Sequence, residues 1–203
     1  MRSLDADPWS TLLASTTTTV RKYAEWVRQS DKSAIAEMIH TRFKERYLDP
    51  IKDSPARHGF AMLAISCLMV EALESFRNGW KDTSENGKSG GAFCSFFHAH
   101  DEFSDLRPVA HEFYRAVRCG ILHQAETTQQ WRVNRERGLL LAEKGGVRWL
   151  SAYEFGIRLG TVLDRYRDEL KTQEWTSPLW INARKKLQTI CKNCGVPDLS
   201  VLS

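Results

Sequence analysis

The chain has 203 residues, 42% of them hydrophobic and 27% charged, an ordinary globular composition able to bury a sizeable core. Its net charge of +4 and pI near 8.8 form a mild basic bias that suits a polyanion without identifying one. Five scattered cysteines with no secretory signal ahead of them argue against a disulfide framework and for reduced thiols in a cytoplasmic protein.

The expected organisation is mainly α: an N-terminal helical extension over 1–55, then a helical domain over 56–203 with a β insertion near 131–150, together one compact unit. Asp7-Pro8 opens a predicted helix with Trp9, Leu12, Leu13, Val20, Tyr23 and Val27 on its apolar face, which the poor helix formers Thr16 to Thr19 interrupt. Ser30-Asp31 caps a second helix with Ile35, Met38, Ile39, Phe43 and Tyr47 as its stripe, ended by Asp49-Pro50. After a break at Pro55 to Gly59, the stretch from Phe60 to Phe76 is apolar on nearly every side and predicts a helix surrounded by others. Its longest apolar run, Phe60 to Val70 broken only by Ser66, is too short to span a bilayer, so no membrane is expected. Glu71 and Glu74 near its end either emerge into water or need a buried partner such as Arg118.

Gly79 to Gly91 reads as a polar surface loop. Its Gly87-Lys88-Ser89 lacks the upstream glycine and the strand of a phosphate loop, and that reading is rejected. Ala92 to Glu102 predicts a short helix presenting Phe93, Phe96 and Phe97. His98 and His100 point to different sides of it, which disfavours a metal pair. Asp105 and Pro108 start a central helix over about 107–127, with Ala110, Phe113, Tyr114, Val117 and Ile121 as its buried stripe. Trp131 to Val133, Gly138 to Ala142 and Val147 to Trp149 read as short strands of an antiparallel hairpin or meander, turning at Gly145-Gly146. Ser151-Ala-Tyr-Glu154 is a capping box for the next helix, and a last helix covers about Pro178 to Asn193. Cys191-Lys-Asn-Cys194 is a single pair at a helix end, too few ligands for a structural zinc and misplaced for a redox pair.

Arg118 and His123 do not fit the buried stripe of the central helix. At about 100° per residue they sit roughly 140° apart, either side of a second face that also carries Glu112, Arg115, Cys119 and Glu126. Gly120 loosens the helix between them. Arg118-Cys-Gly-Ile-Leu-His123 resembles the R-x4-6-H signature of the HEPN superfamily of helical-bundle proteins. The Phe113-Tyr114 lead-in, the continuation through Gln124-Ala-Glu126-Thr, the upstream Met-Val-Glu71-Ala-Leu-Glu74 helix and the Phe96-Phe97-His98 segment carry the same resemblance over about 56–171. It implies a HEPN-like bundle, a ribonuclease of defence or toxin type, and a homodimer whose interfacial groove joins two motifs. An antitoxin or a nucleic-acid-sensing protein is the implied partner. Many active members carry Asn, Asp or His directly after the arginine, where this chain has Cys119.

RNA supplies its own nucleophile, the 2′-hydroxyl. A neutral imidazole suits the proton step, and the planar fork of an arginine suits the phosphate oxygens. Neither needs a metal or a cofactor. The expected catalytic residues are therefore Arg118 and His123, supported by Cys119, Gln124, Glu126 and Glu71, cleaving single-stranded RNA. One chain supplies one such histidine, whereas the reaction wants a base and an acid, which a two-fold dimer provides. Two rivals stand beside this reading. One is an inactive HEPN-like module that binds a nucleotide or RNA. The other is a cysteine hydrolase built on Cys119 and His123, which on one rigid helix leaves little room for an orienting third residue.

Overall fold

The structure, a computed structural model, describes residues 7–52, 58–84, 88–196 and 199. It is mainly α with small β elements, as the hydrophobic periodicity predicts. Pro8–Ser10 is a single 3-10 turn that Asp7 caps, followed by strands β1 (Leu12–Ala14) and β2 (Thr18–Thr19), paired antiparallel. The single helix expected from Asp7 is thus replaced by a turn and a hairpin. The β-branched threonines favour extended backbone, and helix α1 (Val20–Arg28) starts only after Thr19, whose side chain accepts from the Lys22 amide.

Asp31 caps α2 (Lys32–Phe43) by accepting from the Ala34 amide, as expected. Asp49-Pro50 does not end that helix. A π turn over Lys44–Leu48 leads without a break into α3 (Asp49–Lys52), so the helical stretch continues through Pro50. Most of the expected break at Pro55 to Gly59 lies outside the described residues. Then come α4 (Gly59–Asn78), α5 (Lys88–Ala99), a 3-10 stretch over Asp101–Val109, α6 (Ala110–Phe113), a π segment over Tyr114–Cys119 and α7 (Gly120–Gln124). Strands β3 (Trp131–Asn134), β4 (Leu141–Lys144) and β5 (Val147–Ser151) precede α8 (Ala152–Thr172) and α9 (Pro178–Asn193).

Two compact units share these elements. The first comprises Met1–Arg46, Ser75–Lys81 and Leu163–Ser203, and the second Tyr47–Glu74 and Asp82–Val162. In the first, Leu13, Ile35, Phe43, Phe76, Tyr166, Leu170, Trp180 and Leu187 are buried. Phe43 and Phe76 meet edge to face with centroids 5.2 Å apart, and the Trp180 indole donates to the Leu170 carbonyl at 2.7 Å. In the second, an aromatic cluster fills the core. Phe97 meets Phe113 edge to face at 5.1 Å, Phe103 meets Phe155 at 4.9 Å, and Phe113 stacks on Phe155 at 5.6 Å.

By length and composition α4 is the one helix among the described residues that could cross a membrane, but 56% of its apolar window is buried inside the protein, as in a core helix. It is not surrounded on every side, however. Phe60 is 36% and Leu68 44% exposed, and Ala61, Ala64, Ile65 and Ala72 continue that apolar stripe at helical spacing.

The three-stranded sheet has the order β3-β5-β4. β4 and β5 form the expected antiparallel hairpin, turning through Gly145 and Gly146 at φ 60° and 73°. β3 joins β5 in parallel, with Trp131 opposite Arg148, whereas a meander would set it beside β4. Its buried face rests on the second unit's core through Trp131 and Leu150, and the Trp131 indole donates to Glu112 at 3.1 Å. Only half of the capping box forms. The Ser151 hydroxyl accepts from the Glu154 amide at 3.1 Å, but the Glu154 carboxylate takes the Gly138 amide instead of reaching back.

Gly120 does more than loosen a helix. A Cβ there would stand 2.5 Å from the Glu126 carbonyl oxygen, because the chain after α7 folds back over it. Ala125 makes the reversal in the left-handed conformation at φ 55°, and the Thr128 amide closes it on the Ala116 carbonyl at 2.9 Å. Gly120→Ala is expected to cost about 2 kcal/mol in denaturant unfolding, since backbone must move to admit the methyl. Gly156→Ala, in a helix interior where a Cβ meets nothing, should gain ~0.5–1 kcal/mol. Equal effects of the two changes would contradict the close approach.

Candidate functional site

The site is built around Glu71, near the end of α4. A glutamate at 9% exposure needs partners, because burying an ionised carboxylate without them is very costly. Arg118 is one: its Nε donates to Glu71 Oε1 at 2.8 Å. The other carboxylate oxygen accepts from the Thr83 hydroxyl at 2.5 Å and the Ser89 hydroxyl at 3.2 Å. Of the two environments open to Glu71 from sequence, the buried pair with Arg118 is the one found. Glu74 is buried as well.

The π segment determines how Arg118 is presented. Its i→i+5 bonding adds a residue to the turn and rotates every later side chain around the axis. Ala110, Phe113 and Val117 are buried as predicted, but Ala116 and Gly120 join them while Tyr114 and Ile121 are left half-buried. Arg118 is consequently not on an open face. Its side chain is 16% exposed, with the guanidinium 5.7 Å over the Tyr114 ring. The first turn of α5 lies against the other part of this ring, where a Cβ on Gly90 would come within 3.3 Å of it.

Burial works against the Arg118 charge, but the hydrogen bond and negative charge of Glu71 outweigh it and raise its pKa. It is a permanent cation. Burial, then a hydrogen bond with Cys119, pushes the Tyr114 hydroxyl above its ordinary value. Cys67, fully buried beside the pair, is pushed up by burial and only partly offset by Arg118, so its thiol stays protonated.

Using Nε for Glu71 leaves the outer edge of the guanidinium. Among the described residues its two terminal nitrogens make no hydrogen bond, although Glu71 and Tyr114 hold the group in place. Such an edge is suited to two oxygens of one phosphate. His123 and Gln124, in the last turn of α7, are exposed and make no hydrogen bond among the described residues. Glu126 is exposed too, but its carboxylate accepts from the Thr127 amide at 2.9 Å and so secures the reversal after α7.

The structure therefore brings Arg118, Glu71 and Cys119 together, and leaves His123, Gln124 and Glu126 on the outside of the same short stretch. Cys119 is half-buried near Tyr114 and Arg118, whereas His123 is exposed. Cys191 is buried, with its thiol pushed up to about 12 by burial and by Cys194, the opposite of an activated redox cysteine. His98 Nδ1 donates to the Cys94 carbonyl on the surface while His100 is buried against Phe96, so the two do not converge.

Thr83, Ser89 and Tyr114 were missed as parts of this site. Ser89 stood in sequence only as the end of a failed phosphate-loop pattern, and Thr83 as one polar residue of a loop. The signal available was that two hydroxyls flank a glycine-rich segment near a buried carboxylate. Folding onto Glu71 also explains why α5 starts at Lys88, inside the stretch expected to be loop.

No protein-family model matches the chain, and no curated protein or solved structure matches it significantly.

Removing Arg118 would strand a buried charge, so truncation at this position is not the benign change expected of an open helix face. Arg118→Ala should cost ~3–5 kcal/mol of stability, and adding Glu71→Gln should recover part of that loss. Urea unfolding of the two single variants and the double variant checks it. Additive losses would mean that the pair is not coupled.

Proposed function

We propose that the protein is a metal-independent endoribonuclease of HEPN type, acting on single-stranded RNA at a composite site between two copies of the chain. One observation carries the reading: an arginine pinned through Nε by Glu71, its outer nitrogens unbonded among the described residues, five residues ahead of an exposed histidine. In the reaction, His123 removes the proton of a ribose 2′-hydroxyl and the 2′-oxygen attacks the adjacent phosphorus. The terminal nitrogens of Arg118 donate to the non-bridging oxygens as their charge grows, an interaction strongest in the transition state. The bond to the 5′-oxygen breaks, and that oxygen takes a proton from the second copy's imidazolium, leaving a cyclic 2′,3′-phosphate and a free 5′-hydroxyl. Electrons and protons balance with no metal or cofactor.

The apolar stripe on α4, with Leu122 exposed beside His123, supports pairing of two copies near the motif. A cytoplasmic defence or toxin role, with an antitoxin or nucleic-acid-sensing protein holding the dimer silent, fits the same reading. One observation favours a second reading, an inactive binding module: Cys119 stands directly after Arg118, where active HEPN-like proteins often carry a polar residue.

The expected outcome is cleavage of mixed single-stranded RNA in the presence of a chelator. His123→Ala should abolish it with an unchanged melting curve, because this side chain supports nothing else. Arg118→Lys, which keeps a charge beside Glu71 but loses the fork, should lower kcat about a hundredfold. Cleavage that requires a divalent cation, or that survives His123→Ala, contradicts the proposal. Tight RNA binding by the wild type without any cleavage selects the binding module.

A further inference from the structure

The outward face of the small sheet is unlike the rest of the second unit's surface. Strand register puts Arg132, Trp149 and Ala142 in one row across this face, with Lys144 and Val147 in the next. Among the described residues Trp149 is the one exposed tryptophan, at 39%, on a rigid strand rather than a loop. Its ring is also bare. Trp131 lies under Arg148, Trp175 under Arg184 and Trp26 under Lys22, whereas among the described residues no cation or ring covers Trp149.

The charges on the two faces differ in the same way. Arg148, on the buried face, is neutralised by Glu112 and Glu143. On the outward face the strands carry Arg132 and Lys144 and no acid. Arg132 is anchored through one terminal nitrogen to the Trp131 carbonyl at 2.8 Å, which holds its charge at the sheet edge, and Lys144 has no partner among the described residues.

We propose that this face, Trp149 with Arg132 and Lys144, is a binding platform for single-stranded RNA, stacking a base on the indole and pairing phosphates with the two cations. An exposed aromatic ring between cations is the usual means of holding an unpaired strand. A duplex would not serve, because its bases are already stacked on one another. Nine peptide units separate His123 from Arg132, so their Cα atoms lie within about 32 Å, a span that one extended strand can cover. The platform rests on single-stranded RNA as the substrate class but not on cleavage.

The test is fluorescence anisotropy on the full chain with a labelled mixed-sequence oligoribonucleotide of roughly 20 nucleotides, methylated at each 2′-oxygen so that it cannot be cut, beside a cleavage assay on the unmodified RNA. Trp149→Ala should weaken binding about 5- to 150-fold, and Trp149→Phe should restore most of it. Arg132→Gln and Lys144→Gln should each lower the slope of log affinity against log salt by about 0.7. If the wild type binds but does not cut, the ribonuclease reading fails while the platform stands. If it cuts and Trp149→Ala binds equally well with an unchanged melting curve, the platform is wrong. It is equally wrong if no RNA binds and Trp149→Ala instead changes self-association in sedimentation, which would make this face a protein contact.

Discussion

The second unit depends on one buried ion pair. Glu71 cannot be buried at the end of α4 without Arg118, and Arg118 is held half-buried over Tyr114 only because Glu71 takes its Nε. Thr83 and Ser89 both donate to the carboxylate's other oxygen, which ties both described ends of the glycine-rich segment to one atom. A pair of this kind adds little net stability compared with apolar packing, while losing one member is expensive. Its worth is in fixing one geometry. The guanidinium cannot turn its Nε outward without abandoning Glu71, so the edge it offers is always the same.

Helix geometry supports that presentation. A regular α-helix would carry Arg118 and His123 away from the core together. The π segment rotates Arg118 against α4, and the reversal over Gly120 ends α7 just past His123, leaving the imidazole exposed in a last turn. One group is preorganised and the other accessible, a division suited to phosphate recognition by the first and proton transfer by the second.

Much of the fold was legible from local chemistry. The apolar period of α2, the Asp31 cap, the Pro178 start of α9 and the Gly145-Gly146 turn are short-range signals, and each element is found near its expected bounds. What was not legible depends on distant contacts. The parallel pairing of β3 with β5 is a choice between neighbours that period-two alternation cannot make. The N-terminal hairpin reflects a contest between weak helix formers and tertiary context. The first unit gathers both ends of the chain, which no local pattern announces. Within the site, Arg118, Glu71 and His123 stood out because charge on or beside an apolar helix is conspicuous. Thr83 and Ser89 are ordinary loop hydroxyls until a carboxylate is known to face them, and the role of Gly120 depends on a carbonyl six residues later.

The central claim is that each catalytic unit draws on two copies of the chain, His123 of one acting as base and His123 of the other as acid. Mixing wild-type protein with an equal amount of His123→Ala, after confirmed subunit exchange, tests it most directly. Random pairing leaves about a quarter of the dimers with both imidazoles, so activity should fall toward a quarter of the wild-type value at the same total concentration. Activity that instead falls to half, in proportion to the wild-type fraction, would mean that each chain carries a complete site and would contradict the account.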